Sequence, residues 1–103
     1  MSNTNFYKGF NLAHSYKLYR EEVKYLESLI CYTREEEDSG QIPYWLRHDY
    51  TSIRDTAIRT IGYIRCLWDF EVIEEDALEE FYYAYSLMAR EAEERIDELS
   101  EEE

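Results

Sequence analysis

The chain has 103 residues, 45% hydrophobic and 34% charged, with a net charge of −13. That length suits one domain with a single modest core, and eleven tyrosines, four phenylalanines and two tryptophans exclude a disordered chain. The charge argues against direct binding to DNA, RNA or an anionic membrane surface, because repulsion would oppose each.

Three glycines and one proline leave few turns, so the elements must be few and long. An all-α fold follows, a compact three-helix bundle with a long first helix and an acidic C-terminal helix. No apolar run is long enough to cross a membrane, and no basic start with an apolar core marks a signal peptide. Cys31 and Cys66 make no disulfide framework and read as reduced core or boundary thiols.

In chain order, Met1–Asn5 is polar, and Thr4, Asn5 or Asn11 is placed to cap a first helix, with Gly9 weakening its earliest turns. Leu12, Tyr16, Tyr19, Val23, Leu26 and Ile30 alternate steps of four and three, a coiled-coil-like seam. Leu18, Tyr25, Leu29 and Tyr32 run beside it and broaden the apolar face. The spacing predicts a helix over 11–34, ended by the acid run Glu35–Asp38 with Ser39 and Gly40.

A second helix over 44–68 opens with Pro43 in its first turn, or else begins at Tyr50 behind an Asp49 cap. Its apolar stripe is Leu46, Tyr50, Ile53, Ala57, Ile61, Ile64 and Trp68. Arg47, Arg54 and Arg65 share a border of that stripe, within an arc of ~20°. The row suits pairing with the acidic helix of the same chain, or with the acids of a second copy. Asp69–Ile73 is a short connection, and Glu74, Glu75 and Asp76 suit a helix's first turn.

The negative charge is placed rather than spread. Asp69 to Glu103 holds fifteen acids against two arginines, the whole of the excess, while the first sixty-eight residues sum to zero. On a helix over 74–99, Ala77, Leu78, Phe81, Ala84, Tyr85, Met88, Ala92, Ile96 and Leu99 form the face to be buried. Glu75, Asp76, Glu79 and Glu80, then Glu93, Glu94, Asp97 and Glu98, fall opposite. The quartets are eighteen residues apart, five whole turns and roughly 27 Å along one side. Tyr83, Leu87 and Arg90 lie between them.

Such a face is a solvated surface or a binding surface. Like charges four apart weaken a helix by a few tenths of a kcal/mol per pair, and acids in the last turn oppose the macrodipole by ~0.3–1 kcal/mol each. Stability alone does not favour this arrangement. The mean density from Asp69 onward is one acid per about 3.5 Å of helix axis, beside one charge per ~3.4 Å on a DNA strand.

Sites for chemistry are lacking in the sequence. It holds no glycine-rich phosphate loop, no G-x-S-x-G, no H-E-x-x-H and no C-x-x-C. His14 and His48 lack ligand-spaced partners apart from the adjacent Asp49. Cys31 and His14 are about 25 Å apart along one helix, too far to act as nucleophile and base. The expectation is a non-catalytic protein without metal or cofactor. Among the tyrosines, Tyr16, Tyr19, Tyr50 and Tyr85 suit a core, whereas Tyr82, Tyr83, Tyr44 and Trp45 suit an interface.

Glu71–Glu80, Glu91–Glu98 and the tail Ser100-Glu101-Glu102-Glu103 resemble, in composition and periodicity, the small acidic helical proteins with which bacteriophages mimic DNA. Those proteins block host restriction enzymes, CRISPR complexes or other nucleic-acid machinery. The resemblance implies an anti-restriction or anti-CRISPR type of inhibitor, cytoplasmic in a bacterial host, often a dimer, that occupies a basic groove without binding nucleic acid itself. The near-neutral first helix departs from that pattern. The residues expected to meet the partner are Glu75, Asp76, Glu79, Glu80, Tyr83, Glu91, Glu93, Glu94, Asp97 and Glu98. The alternative is a structural or adaptor module that dimerises or docks through aromatic helix faces, its acids serving solubility.

Overall fold

A computed structural model of the chain describes residues 12–101. Three α-helices follow one another: α1 (Leu12–Asp38), α2 (Pro43–Asp69) and α3 (Glu75–Glu101), each of 27 residues. At about 1.5 Å rise per residue each is roughly 40 Å long. No strand occurs among the described residues. The expected three-helix bundle is the fold. The capping residues Thr4, Asn5 and Asn11 and the weakening Gly9 lie outside the described residues.

The expected end of α1 needs correction. Glu35–Asp38 does not terminate the helix but forms its last turn, since glutamate is a good helix former. The stop is set two residues later by a Schellman motif. Gly40 takes a left-handed φ of 90°, its amide donates to the Glu37 carbonyl, and the Gln41 amide donates to Glu36. The same pattern closes α2 without a glycine. There the Glu71 amide donates to Trp68 and the Val72 amide to Leu67, and Glu71 itself carries a φ of 57°.

Pro43 opens α2 in its first turn, behind Ile42 in an extended conformation. Asp49 lies inside that helix, so the alternative start at Tyr50 is not used. α3 begins after Glu74, whose carbonyl accepts from the Leu78 amide. Glu75 and Asp76 occupy its first turn, where the macrodipole favours them. The helix continues through Ser100 and Glu101.

The core is built from the expected stripes. Leu26 and Ile30 of α1, Leu46, Tyr50, Ile53, Ala57 and Ile64 of α2, and Ala77, Phe81, Tyr85, Met88, Ala92 and Leu99 of α3 are buried. Ile73 in the last connection joins them. α2 and α3 make the closest backbone approach, α1 a looser one to both. Ala57, Ala77 and Ala92 are small enough to let α2 and α3 meet, whereas Tyr16 and Tyr19 hold α1 off and fill the gap, Tyr16 tilted against Phe81 and Tyr19 edge-on to Phe81 and Tyr85.

Sequential helices run antiparallel, as the pairs Glu22–Thr60 and Arg54–Glu93 register them. α1 and α3 are therefore parallel, with Arg20 on Glu80 near one end and Glu37 on Arg95 near the other. The broad apolar face expected of α1 is narrower than its composition suggested. Leu18, Tyr25 and Tyr32 are exposed, because α2 and α3 cover only one side of the helix. Trp68, placed in the α2 stripe, is also exposed.

Candidate partner interface on the third helix

Each of the ten expected contact residues sits on α3, and nine of them are exposed. Glu91 alone is half-buried. Tyr83, 67% exposed, stands at the centre of this surface, with exposed Leu87 and Arg90 beyond it. The surface is thus two acidic clusters flanking a mixed patch. Ten residues without an acid separate Glu80 from Glu91, about 16 Å of helix. The charge is clustered rather than evenly ruled like a phosphate backbone.

Neighbouring helices neutralise the margins of this face. The Arg20 guanidinium of α1 donates through Nε and Nη2 to the two carboxylate oxygens of Glu80, at 3.1 and 3.3 Å. Those bonds hold the Arg20 pKa above its ordinary range. Arg34 pairs with Glu91. On the other side Arg54 of α2 donates to Glu93 at 2.7 Å, and to Asp55 at 3.1 Å; its pKa is raised by the same bonds. Arg95 pairs with Glu98 one turn along α3.

The rest of the face is left bare. Glu75, Asp76, Glu79, Glu94 and Asp97 make no ion pair with any described residue. Of the expected arginine row, Arg54 pairs with α3, while Arg65 stays exposed and without an ion pair among the described residues. Arg65 lines an open groove of about 790 Å³ with Trp68, Leu78, Glu79 and Tyr82. Tyr82, Tyr83, Tyr44 and Trp45 are all exposed.

Several links between the helices have no local signal in the sequence. Glu37 links all three helices: it accepts from the Tyr50 hydroxyl of α2 at 3.2 Å and is held by Arg95 of α3. Arg95 thereby places a cation beside the acidic last turns of both α1 and α3, neither of which contains a basic residue of its own in that turn. Thr60, a buried polar residue, donates to Glu22 at 2.7 Å. Tyr85, fully buried, donates to the Tyr19 carbonyl at 3.1 Å, and burial, then the nearby Glu22, pushes its hydroxyl well above the usual tyrosine range. These links need three helices in register, and no local pattern announces them.

Both cysteines are exposed free thiols, not core residues. Among the described residues no group of three or more His, Cys, Asp or Glu side chains is placed to hold a metal ion, and no helix is long and apolar enough to cross a membrane. No protein-family model matches the sequence, and neither a curated protein nor a solved structure is matched by it.

Proposed function

We propose that this protein is a non-catalytic inhibitor that docks the acidic face of α3 into the basic, nucleic-acid-binding groove of a defence or nucleic-acid enzyme. One observation carries the reading. Arginines from α1 and α2 are spent on the margins of the face, yet Glu75, Asp76, Glu79, Glu94 and Asp97 are exposed and have no ion-pair partner among the described residues. Holding five like charges on one helix works against its stability, so a cationic receptor is the natural counterpart.

Competition would be steric and electrostatic. Carboxylates take the place of phosphates against Lys and Arg, steer the encounter, and displace the anions that the groove held. Exposed Tyr83 between the clusters adds flat, low-entropy contact area. The test replaces the five unpaired acids with lysine and leaves Glu80, Glu91, Glu93 and Glu98 in their ion pairs. Immobilised wild-type chain should retain a basic nucleic-acid-binding protein from bacterial lysate, and the variant, folded to the same helicity, should not. Retention of the same protein by both would end the proposal.

A second reading, a docking or adaptor module, is favoured by the large aromatic side chains that α1 and α2 leave exposed. Salt separates the two. Binding through the acidic face weakens steeply from low to moderate ionic strength, and apolar docking barely changes.

A further inference from the structure

The side of the bundle away from α3 has a different character. Leu18, Tyr25 and Tyr32 recur every seven residues along α1, a spacing of about 10.5 Å that keeps them on one flank. All three are about half exposed or more, at 49%, 62% and 60%. The flank is the one turned toward α2: Tyr32 lines a cleft there with Leu29, Asp49 and Ser52, and Glu22 on the same side meets Thr60. Trp45 and Tyr63 share one helical angle on α2 and project from the facing border, also more than half exposed. The five side chains therefore line the two rims of a single α1/α2 face.

We infer that this face is the contact between two copies of the chain, related by a two-fold axis. Charge selects the occupant. α1 and α2 together set eight basic against ten acidic side chains, whereas α3 alone sets two against ten. Two copies meeting through α3 would bring their strongest repulsion together; meeting through α1/α2 keeps the two acidic helices on opposite outer sides. The size is also right. Two helices roughly 40 Å long and about 10 Å apart present a face on the order of 800 Å², which is the area that each partner of a stable complex usually buries. Tyr25, midway along the stripe, lies nearest the axis.

The inference is independent of the α3 reading, because it concerns a surface that α3 does not share. Its test is the mass in solution, read by light scattering or sedimentation over a range of micromolar concentrations, at low and high salt. Wild type should sediment at twice the 12.6 kDa chain mass, and more completely at high salt, where repulsion between the copies is screened. Tyr25→Glu with Tyr63→Glu should weaken the dimer at least about ten-fold, with helicity unchanged because both side chains are largely in solvent. Should the glutamates lower helicity, Tyr25→Ser with Tyr63→Ser makes the same comparison. A wild-type chain that stays monomeric throughout, including one that uses this face to hold a different protein, overturns the inference. So does a dimer that the folded double variant leaves intact.

Discussion

Glu71 is the one described residue other than glycine with a positive φ. It closes α2 where Gly40 closes α1, by the same pair of backbone hydrogen bonds. A left-handed conformation costs a residue with a Cβ about 1–2 kcal/mol, partly offset for glycine by its larger entropy when unfolded. Glu71→Gly should therefore stabilise the protein by roughly 0.5–1 kcal/mol, read as a higher urea midpoint. A lower midpoint would mean that the Glu71 side chain contributes more than its backbone strain costs.

Glu37 and Arg95 work in the opposite direction. Their pair is about three-quarters buried and satisfies the Tyr50 hydroxyl as well. Arg95→Ala would leave Glu37 with a tyrosine donor alone, and four acids would face the end of α1 without a cation. A loss of about 1.5–3 kcal/mol is expected, well above the effect of Arg20→Ala, which breaks an exposed pair with Glu80 that solvent already screens. Urea unfolding of the two variants side by side checks the order; equal losses would contradict it.

At the level of the helices, each one brings a buried or half-buried tyrosine to the core. Burial raises the hydroxyl pKa of Tyr16, Tyr19, Tyr50 and Tyr85, with Glu22 and Glu37 adding to it. Each belongs to a stripe by which one helix meets another. Because the folded pKa lies above the unfolded one, their contribution is full below pH ~10. Above it the unfolded chain gives up protons that the folded chain keeps, so stability falls as pH rises, by up to ~1.4 kcal/mol per pH unit for each tyrosine. The urea midpoint should hold from about pH 8 to about pH 9.5 and then drop. A flat profile to about pH 11 would show that these hydroxyls are not held as the packing requires.

The helices were also the most legible level of the sequence. A period of 3.6 in Leu46, Tyr50, Ile53, Ala57 and Ile64, and in Ala77, Phe81, Tyr85, Met88 and Ala92, is a local signal, and it marks the buried faces directly. The outward acidic face of α3 is the complement of that stripe and was readable for the same reason. Less legible were features that depend on a neighbour. Leu18, Tyr25 and Tyr32 continue the apolar arc of α1, and only the number of helices available to cover it leaves them exposed. Glu37 reads as one of four terminal acids until Arg95 and Tyr50 arrive from other helices. The acid run at Glu35–Asp38 looked like a terminator because it ends the apolar pattern, but the helix obeys its backbone and stops at Gly40.

On the scale of the whole molecule the bundle has two unlike sides, an acidic one on α3 and an aromatic one on α1 and α2. Their partners should answer to salt with opposite signs, weaker binding at the acidic side and stronger pairing at the aromatic side as ionic strength rises. Charge placement does this without any specialised motif: the near-neutral first two helices carry the third as a strongly charged rod.

Whether that rod is read as nucleic acid is tested most directly by displacement. Immobilised chain is loaded with bacterial lysate at low salt and then washed with a short duplex DNA at constant ionic strength. The proteins held by α3 should leave with the DNA, because both anions claim one groove, and the five-lysine variant should hold none of them. Proteins that stay on the resin through the DNA wash, or that bind the variant equally, would contradict the account.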